Sequence, residues 1–270
     1  MKISLKNLKN YKRPSPPLVC LTAYTYPMAQ FLSPHVDLIL VGDSLGNVLY
    51  GMEDTTTVTT AHMIAHGKAV VKGAEGRCPV VIDMPYGSYE ESDAHAVERA
   101  RFLIQETGGD AVKLEGGVSM ASRIKAITAQ SIPVIAHIGL LPQSAPEEGG
   151  FKIKGKNDEQ IEALKQDALA VQEAGACAVV IEGTIEAVAE ELTGMVDIPT
   201  IGIGASPACD GQILVTDDML GLTSGRIPKF VKAYATLSEK IEAAVKAYAE
   251  DVRTGRFPDH QHTYHSSGRT

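Results

Sequence analysis

The chain has 270 residues and carries 25 Lys+Arg against 33 Asp+Glu, a formal net charge of −8. Its 44% hydrophobic and 21% charged residues exclude a disordered chain, and its length suffices to bury roughly three quarters of the unfolded surface. The acid excess argues against nucleic acid, which needs a basic footprint to displace counterions, and leaves small molecules as the expected partners.

The first thirteen residues, MKISLKNLKNYKR, hold five positive charges and no acid. RPSPP follows where a signal peptide would have its apolar stretch, so residues 1–15 are expected to form a short basic arm, solvated or packed on one end of the fold. Short apolar runs then recur, at Leu18–Ala23, Leu38–Val41, Val80–Ile82, Ala111–Leu114, Pro133–Ile138, Ala178–Ile181, Thr200–Ile203 and Ile213–Val215. They read as continuous runs without one-sided alternation, which marks parallel strands covered on both faces. Helical spacing appears over Ala94–Thr107, Ser119–Ala129, Asp158–Ala174, Glu186–Leu192 and Lys229–Arg253, with Asp158 as a helix N-cap and Gly175 as a stop. Strands alternating with helices over ~250 residues predict a single (β/α)8 TIM barrel spanning 1–270, with a doubly wound open sheet as the alternative. No run approaches the ~18 apolar residues of a membrane span. Residues 257–270 read as a loose tail, and its His260, His262 and His265 are expected to be solvated without a carboxylate partner. Cys20, Cys78, Cys177 and Cys209 are widely spaced and make no C-x-x-C pair, which suits a reducing cytoplasmic compartment.

In a barrel the chemistry sits at the C-terminal ends of the strands. Five consecutive strands end in ionisable groups: Asp43 with Ser44, Asp83, Lys113 with Glu115, His137, and Glu182. Any one acid past a strand has an innocent reading as a turn or cap residue. Four carboxylates converging on one mouth repel each other unless a cation neutralises them, and oxygen donors with open positions suit Mg²⁺ or a similar hard ion. Lys113 and Glu115 lie two apart and so share a strand face, where the ammonium could hold a substrate carboxylate. The residues alone point to metal-assisted chemistry on a small anion. Gly202–Ala205 (GIGA) fits either a phosphate site after strand seven or a close turn. Glu147–Gly155 (EEGGFKIKG) fits either a loop closing over the mouth or an ordinary surface loop.

The strings LVGDSLGNVLYG, TTTVTTAHM, IDMPYGSY, AVKLEGG, IPVIAHIGLLPQS, GGFKIKG, IEG and IGIGASPACDGQILV resemble, in this order from Leu18 to Phe257, the ketopantoate hydroxymethyltransferase family. The resemblance implies a (β/α)8 barrel of the phosphoenolpyruvate mutase/isocitrate lyase type. It implies transfer of a one-carbon unit from 5,10-methylenetetrahydrofolate, as co-substrate, to 3-methyl-2-oxobutanoate. The reaction would run through a metal-stabilised enolate to ketopantoate (2-dehydropantoate), in pantothenate and coenzyme A synthesis. It further implies a homo-oligomer, a decamer, in the cytoplasm, with one Mg²⁺ per subunit. Carried over residue by residue, metal ligands fall on Asp43, Asp83 and Glu115, directly or through water. Oxoacid-binding groups fall on Asp43, Ser44, Asp83 and Lys113, and the general base on Glu182. His137 matches a family histidine at the mouth, with a supporting or product contact. The chain departs from the family's usual residues at Leu141, Ser206 and Asp217, which border the region expected to hold the pterin.

Two other readings compete. A metal-dependent lyase of the same superfamily would carry a cysteine followed by Gly-His, and no Cys here is so followed. A silent barrel acting as a binding or assembly protein would be expected to lack one of the acids, and all four are present.

Overall fold

The computed structural model describes residues 5–225 and 227–265. They fall into two compact units, Met1–Thr216 and Asp217–Thr270.

The first unit is a closed barrel of eight parallel strands in sequential order: β1 (Leu18–Thr22), β2 (Leu38–Val41), β3 (Val80–Asp83), β4 (Ala111–Glu115), β5 (Val134–Gly139), β6 (Ala178–Glu182), β7 (Thr200–Ile203) and β8 (Gly211–Leu214). The expected barrel is present, and the open sheet is excluded. A short helix, α1 (Leu5–Leu8), precedes β1. The connections are α2 (Tyr26–Leu32), then α3 (Leu45–Tyr50) and α4 (Thr60–Ala74), then α5 (Asp93–Thr107), α6 (Ala121–Thr128), α7 (Asp158–Glu173) and α8 (Glu186–Met195). Two apolar layers result. Leu18, Leu40, Val81, Ile135 and Val180 fill the barrel interior, while residues such as Val41, Ile82, Val112 and Ile181 pack outward against the helices.

β2 to β4 are buried at every position, as the continuous apolar runs required. β1 and β8 instead alternate, exposing Val19 and Gln212. On β8 the exposure has a topological reason: no helix connects β7 to β8, only the segment 204–210. The phosphate reading of Gly202–Ala205 therefore lapses, because no helix N-terminus follows β7. A close turn explains the glycines, with Gly204 at φ +58° and a Cβ on Gly202 coming within 3.1 Å of Cys209 and Gln212.

Helix ends follow local chemistry. α7 is capped one residue earlier than expected: Asn157, not Asp158, accepts from the Gln160 N–H, leaving Asp158 and Glu159 in the acid-favouring first turn. A 3-10 turn over Val118–Met120 precedes α6 and delays its start. α4 packs so closely on α2 that a Cβ at Gly73 would sit 2.4 Å from the Tyr26 carbonyl.

Residues 8–13 of the basic arm pack on the N-terminal end of the barrel, while its residues 1–4 lie outside the described residues. Leu8 is buried in the interior layer, and Lys12 Nζ donates to Asp210 Oδ2 at 2.8 Å and to the Thr193 carbonyl at 2.8 Å. Asp210 also accepts from the backbone of Arg13 and Thr200.

In the second unit, α9 (Thr216–Met219) opens at the boundary, and α10 (Leu237–Arg253) is the long helix. The expected start at Lys229 is too early. Within residues 229–236 backbone donors go elsewhere than to a helix, Val231 N–H to Pro228 in a turn and Tyr234 N–H back to Met219. Ile241, Val245, Tyr248 and Val252 form an exposed apolar stripe on α10. In the tail, His260, His262 and His265 are exposed. His262 does have a carboxylate neighbour, Asp259, at 2.7 Å. Among the described residues no helix is long and apolar enough to cross a membrane.

Candidate active site

Strand pairing sets the site. In the parallel register Asp83 stands beside Lys113, Glu115 beside His137, and Gly139 beside Glu182. The last residues of β3 to β6 are thereby brought side by side around the mouth. Gly139 is required there: its φ is +94° and a Cβ would lie 2.3 Å from the Glu182 carbonyl. The expectation that Lys113 and Glu115 share a strand face holds, and both are buried with Asp43, Asp83 and His137.

Lys113 Nζ donates to Asp83 Oδ1 at 2.6 Å, and the Asp43 N–H donates to Asp83 Oδ2 at 3.0 Å. His137 lies between two carboxylates, Nδ1 at 3.4 Å from Glu115 Oε1 and Nε2 at 3.2 Å from Glu182 Oε2. Both spacings suit ion pairs but lack hydrogen-bond alignment. Glu182 is the most open of the set, with its side chain 16% exposed. Ser44, just beyond β2, shares a 2.7 Å hydrogen bond with the Tyr24 hydroxyl.

Charge is concentrated here out of reach of water. Burial, and then the neighbouring charges of Asp83 and Glu115, push Asp43 up to about 7. Burial also raises Asp83, only partly offset by Lys113. For Glu115 burial acts upward, but His137 and then Lys113 outweigh it, so its carboxyl is lowered. Burial and Lys113 work against charge on His137, yet Glu115 and Glu182 raise it to about 9. Lys113 itself is raised, because Asp83, Glu115 and Asp43 outweigh its own desolvation.

Two residues in this network were not expected from the sequence. Gln143, in the segment after β5, donates from Nε2 to Asp43 Oδ2 at 2.8 Å and to the Met84 carbonyl at 3.1 Å. Its backbone N–H donates to Glu115 Oε2 at 3.0 Å. Tyr89 donates from its hydroxyl to Gln143 Oε1 at 2.6 Å. Both were visible in the strings GLLPQS and MPYGSY, but only their burial beside the acids distinguishes them from ordinary loop residues.

Among the described residues no group of three or more His, Cys, Asp or Glu is arranged to hold a metal ion. The donor set nevertheless suits a hard cation. It is carboxylate-rich and dry, and Glu115 Oε1 is buried with no hydrogen-bond partner. Mg²⁺ commonly takes one or two protein carboxylates and completes its shell with water and substrate, which this geometry allows.

The segment Glu147–Gly155 is tied down at its far end, where the Lys154 N–H donates to the Gly183 carbonyl and the Ile185 N–H to that of Lys154. Phe151 remains exposed. Cys78, Cys177 and Cys209 directly precede or closely precede β3, β6 and β8, and Cys20 lies within β1. None of the four stands at the mouth.

A closed (β/α)8 barrel with its buried ionisable groups gathered at the C-terminal ends of β2 to β6 defines the class, a barrel enzyme with an acid-rich mouth. Known structures agree on the fold. A phosphonopyruvate hydrolase solved with oxalate and Mg²⁺ superposes with a TM-score of 0.61 at 12% identity, over 96% of this chain and 92% of that one. The 2,3-dimethylmalate lyase, a PEP mutase/isocitrate lyase superfamily member, gives a TM-score of 0.57 at 16% identity, over 94% and 89%. The family model for ketopantoate hydroxymethyltransferase matches residues 2–260, and the chain belongs to that family. It is 59% identical over 251 residues to the 3-methyl-2-oxobutanoate hydroxymethyltransferase of Mesorhizobium japonicum, covering 93% of this chain and 87% of that protein.

Proposed function

We propose that this protein transfers the one-carbon unit of 5,10-methylenetetrahydrofolate to C3 of 3-methyl-2-oxobutanoate, giving 2-dehydropantoate for pantothenate and coenzyme A synthesis. Family membership across nearly the whole chain carries the reading. The residues at the mouth are chemically suited to it.

Asp43, Asp83 and Glu115 would hold one divalent cation, Mg²⁺, directly or through water. When bound, that ion supplies Lewis acidity for the negative charge developing on the keto oxygen. Lys113 keeps its charge under the influence of three carboxylates. It spends one N–H on Asp83 and retains others for the substrate carboxylate. Ser44, oriented by Tyr24, adds a neutral donor beside it. Glu182 takes the C3 proton: it stands on a different strand from the anion-binding groups and is the more open carboxylate, so it can approach the other end of the substrate. His137 steadies Glu182 from behind. We assign the chain to the cytoplasm as a homo-oligomer, a decamer, on the family resemblance.

The test is product formation from 3-methyl-2-oxobutanoate with and without 5,10-methylenetetrahydrofolate, followed by NMR. Folate-dependent 2-dehydropantoate is the expected result. Cleavage of a substituted malate without folate would move the chain to the lyases, although no cysteine stands at the mouth to serve one.

A further inference from the structure

Gln143 is nearly enclosed, and its amide has one orientation open to it. Nε2 faces two acceptors, Asp43 Oδ2 and the Met84 carbonyl, at 2.8 and 3.1 Å, and the carbonyl cannot donate in any protonation state. Oε1 faces the Tyr89 hydroxyl, which donates to it at 2.6 Å. A flipped amide would set oxygen against both acceptors. Tyr89 is fixed in turn, since its oxygen accepts the Glu115 N–H at 3.3 Å.

This one residue touches two carboxylates on different strands. Its side chain takes Asp43 Oδ2 and its backbone takes Glu115 Oε2. The oxygen left over on Glu115, Oε1, is buried without a hydrogen-bond partner and faces His137 Nδ1 at 3.4 Å, a contact a cation would have to share or displace, and among the described residues no hydrogen bond reaches Asp43 Oδ1. We infer that Gln143, locked by Tyr89, is a positioning residue that occupies one oxygen each of Asp43 and Glu115 so that the other is presented to the cation.

The physical reason is that a free carboxylate rotates and can chelate through either oxygen. Pinning one oxygen fixes which lone pairs face the ion and removes the entropy of choosing. Gln143 also supplies this restraint without adding charge to a site already crowded with acids. The inference rests on the proposed cation site, and its test must therefore separate the two.

The test uses Mn²⁺ as probe, with its binding followed by electron paramagnetic resonance on the full chain, alongside steady-state kinetics. Gln143→Met keeps length and removes the three side-chain contacts, to Asp43, Met84 and Tyr89, while the backbone bond to Glu115 stays. It should weaken Mn²⁺ by about tenfold or more, as loss of groups that orient metal ligands commonly does. The KM for 3-methyl-2-oxobutanoate should rise with it, and excess Mn²⁺ should restore most of kcat. Tyr89→Phe, a change less apt to disturb folding, should weaken Mn²⁺ in the same direction by a smaller factor. The double variant should resemble Gln143→Met alone, because the phenol acts through the amide. Unchanged Mn²⁺ affinity in both single variants, with the parent protein binding normally, would overturn the inference and leave the cation site standing. Full additivity of the two would overturn the linkage through Gln143. A parent protein that binds no Mn²⁺ would overturn the cation site and this role together.

Discussion

Lys113 and Asp83 form a buried ion pair across β3 and β4, 2.6 Å long, with side chains 5% and 2% exposed. Such a pair does little for stability, since desolvation consumes most of its attraction, but losing one partner strands the other. It also settles how Lys113 can act. An amine held protonated by three acids is a charge for binding, not a nucleophile. Borohydride added with 3-methyl-2-oxobutanoate should therefore leave Lys113 unmodified by mass spectrometry. A reduced adduct there would mean Schiff-base chemistry. Lys113→Met, by isolating Asp83, should cost about 3–5 kcal/mol of stability in chemical denaturation.

Glu182→Gln should stop exchange of the C3 proton of 3-methyl-2-oxobutanoate with deuterated solvent, slowing it by at least about a hundredfold. The binding groups lie on β2 to β4, so oxoacid affinity measured by calorimetry in the presence of Mg²⁺ should change little. Retained exchange would remove Glu182 as the base.

Asp83→Ala should weaken divalent cation and oxoacid together. Asp83 accepts from both Lys113 and the Asp43 backbone, so its loss frees the ammonium and loosens the loop that carries Asp43 and Ser44. If oxoacid bound normally to this variant with the cation stripped by chelator, the coupling of the two ligands would be wrong.

Much of this was legible in the sequence, and what was not has physical causes. The bounds of β2 and β7 coincide with their apolar runs, because a strand covered on both faces can hold almost nothing else. Lys113 and Glu115 share a face because strand periodicity is local. β1 and β8 were misread as fully covered, since what lies over Val19 and Gln212 is decided by elements distant in sequence and not by their own apolar runs. The start of α10 was misplaced because a turn at Val231 and backbone bonds from Tyr234 to Met219 and from Leu237 to Leu220 compete with helix there. Gln143 and Tyr89 escaped altogether: each matters through partners from 26 to 100 residues away, and no pattern of neighbours encodes such contacts. His137 was seen, but its place between Glu115 and Glu182 needed the closed order β4-β5-β6.

pH should act on the cation-free protein in one direction. Asp43 titrates near 7 when folded against an ordinary 3.8, so the stability its proton contributes is complete below about 4 and is lost as pH rises to about 7. His137 titrates near 9 against 6.5, so its contribution is complete below about 6.5 and lost through about 9. Between these limits both changes lower stability as pH rises. A divalent cation requires the ionised carboxylate and offsets its repulsion with Asp83 and Glu115. Mg²⁺ should accordingly raise Tm more at about pH 8 than at about pH 5.5, with calorimetric titration showing protons released at the lower pH. An equal rise at both would show that Asp43 is already ionised without the ion.

The two ends of the barrel should separate stability from activity. Asp210 is 1% exposed and accepts from Lys12 Nζ and from the backbone of Arg13 and Thr200. Lys12→Met removes the cation but leaves the backbone donors, so the penalty should be a partial one, about 1–3 kcal/mol in urea unfolding. The catalytic groups stand at the opposite ends of the strands, beyond the apolar interior layer of Leu18, Leu40, Val81 and Val180. Well below the midpoint of unfolding, kcat and KM should match the parent protein. A fall in kcat at full folding would show that the arm governs the mouth through the barrel and does more than close its floor.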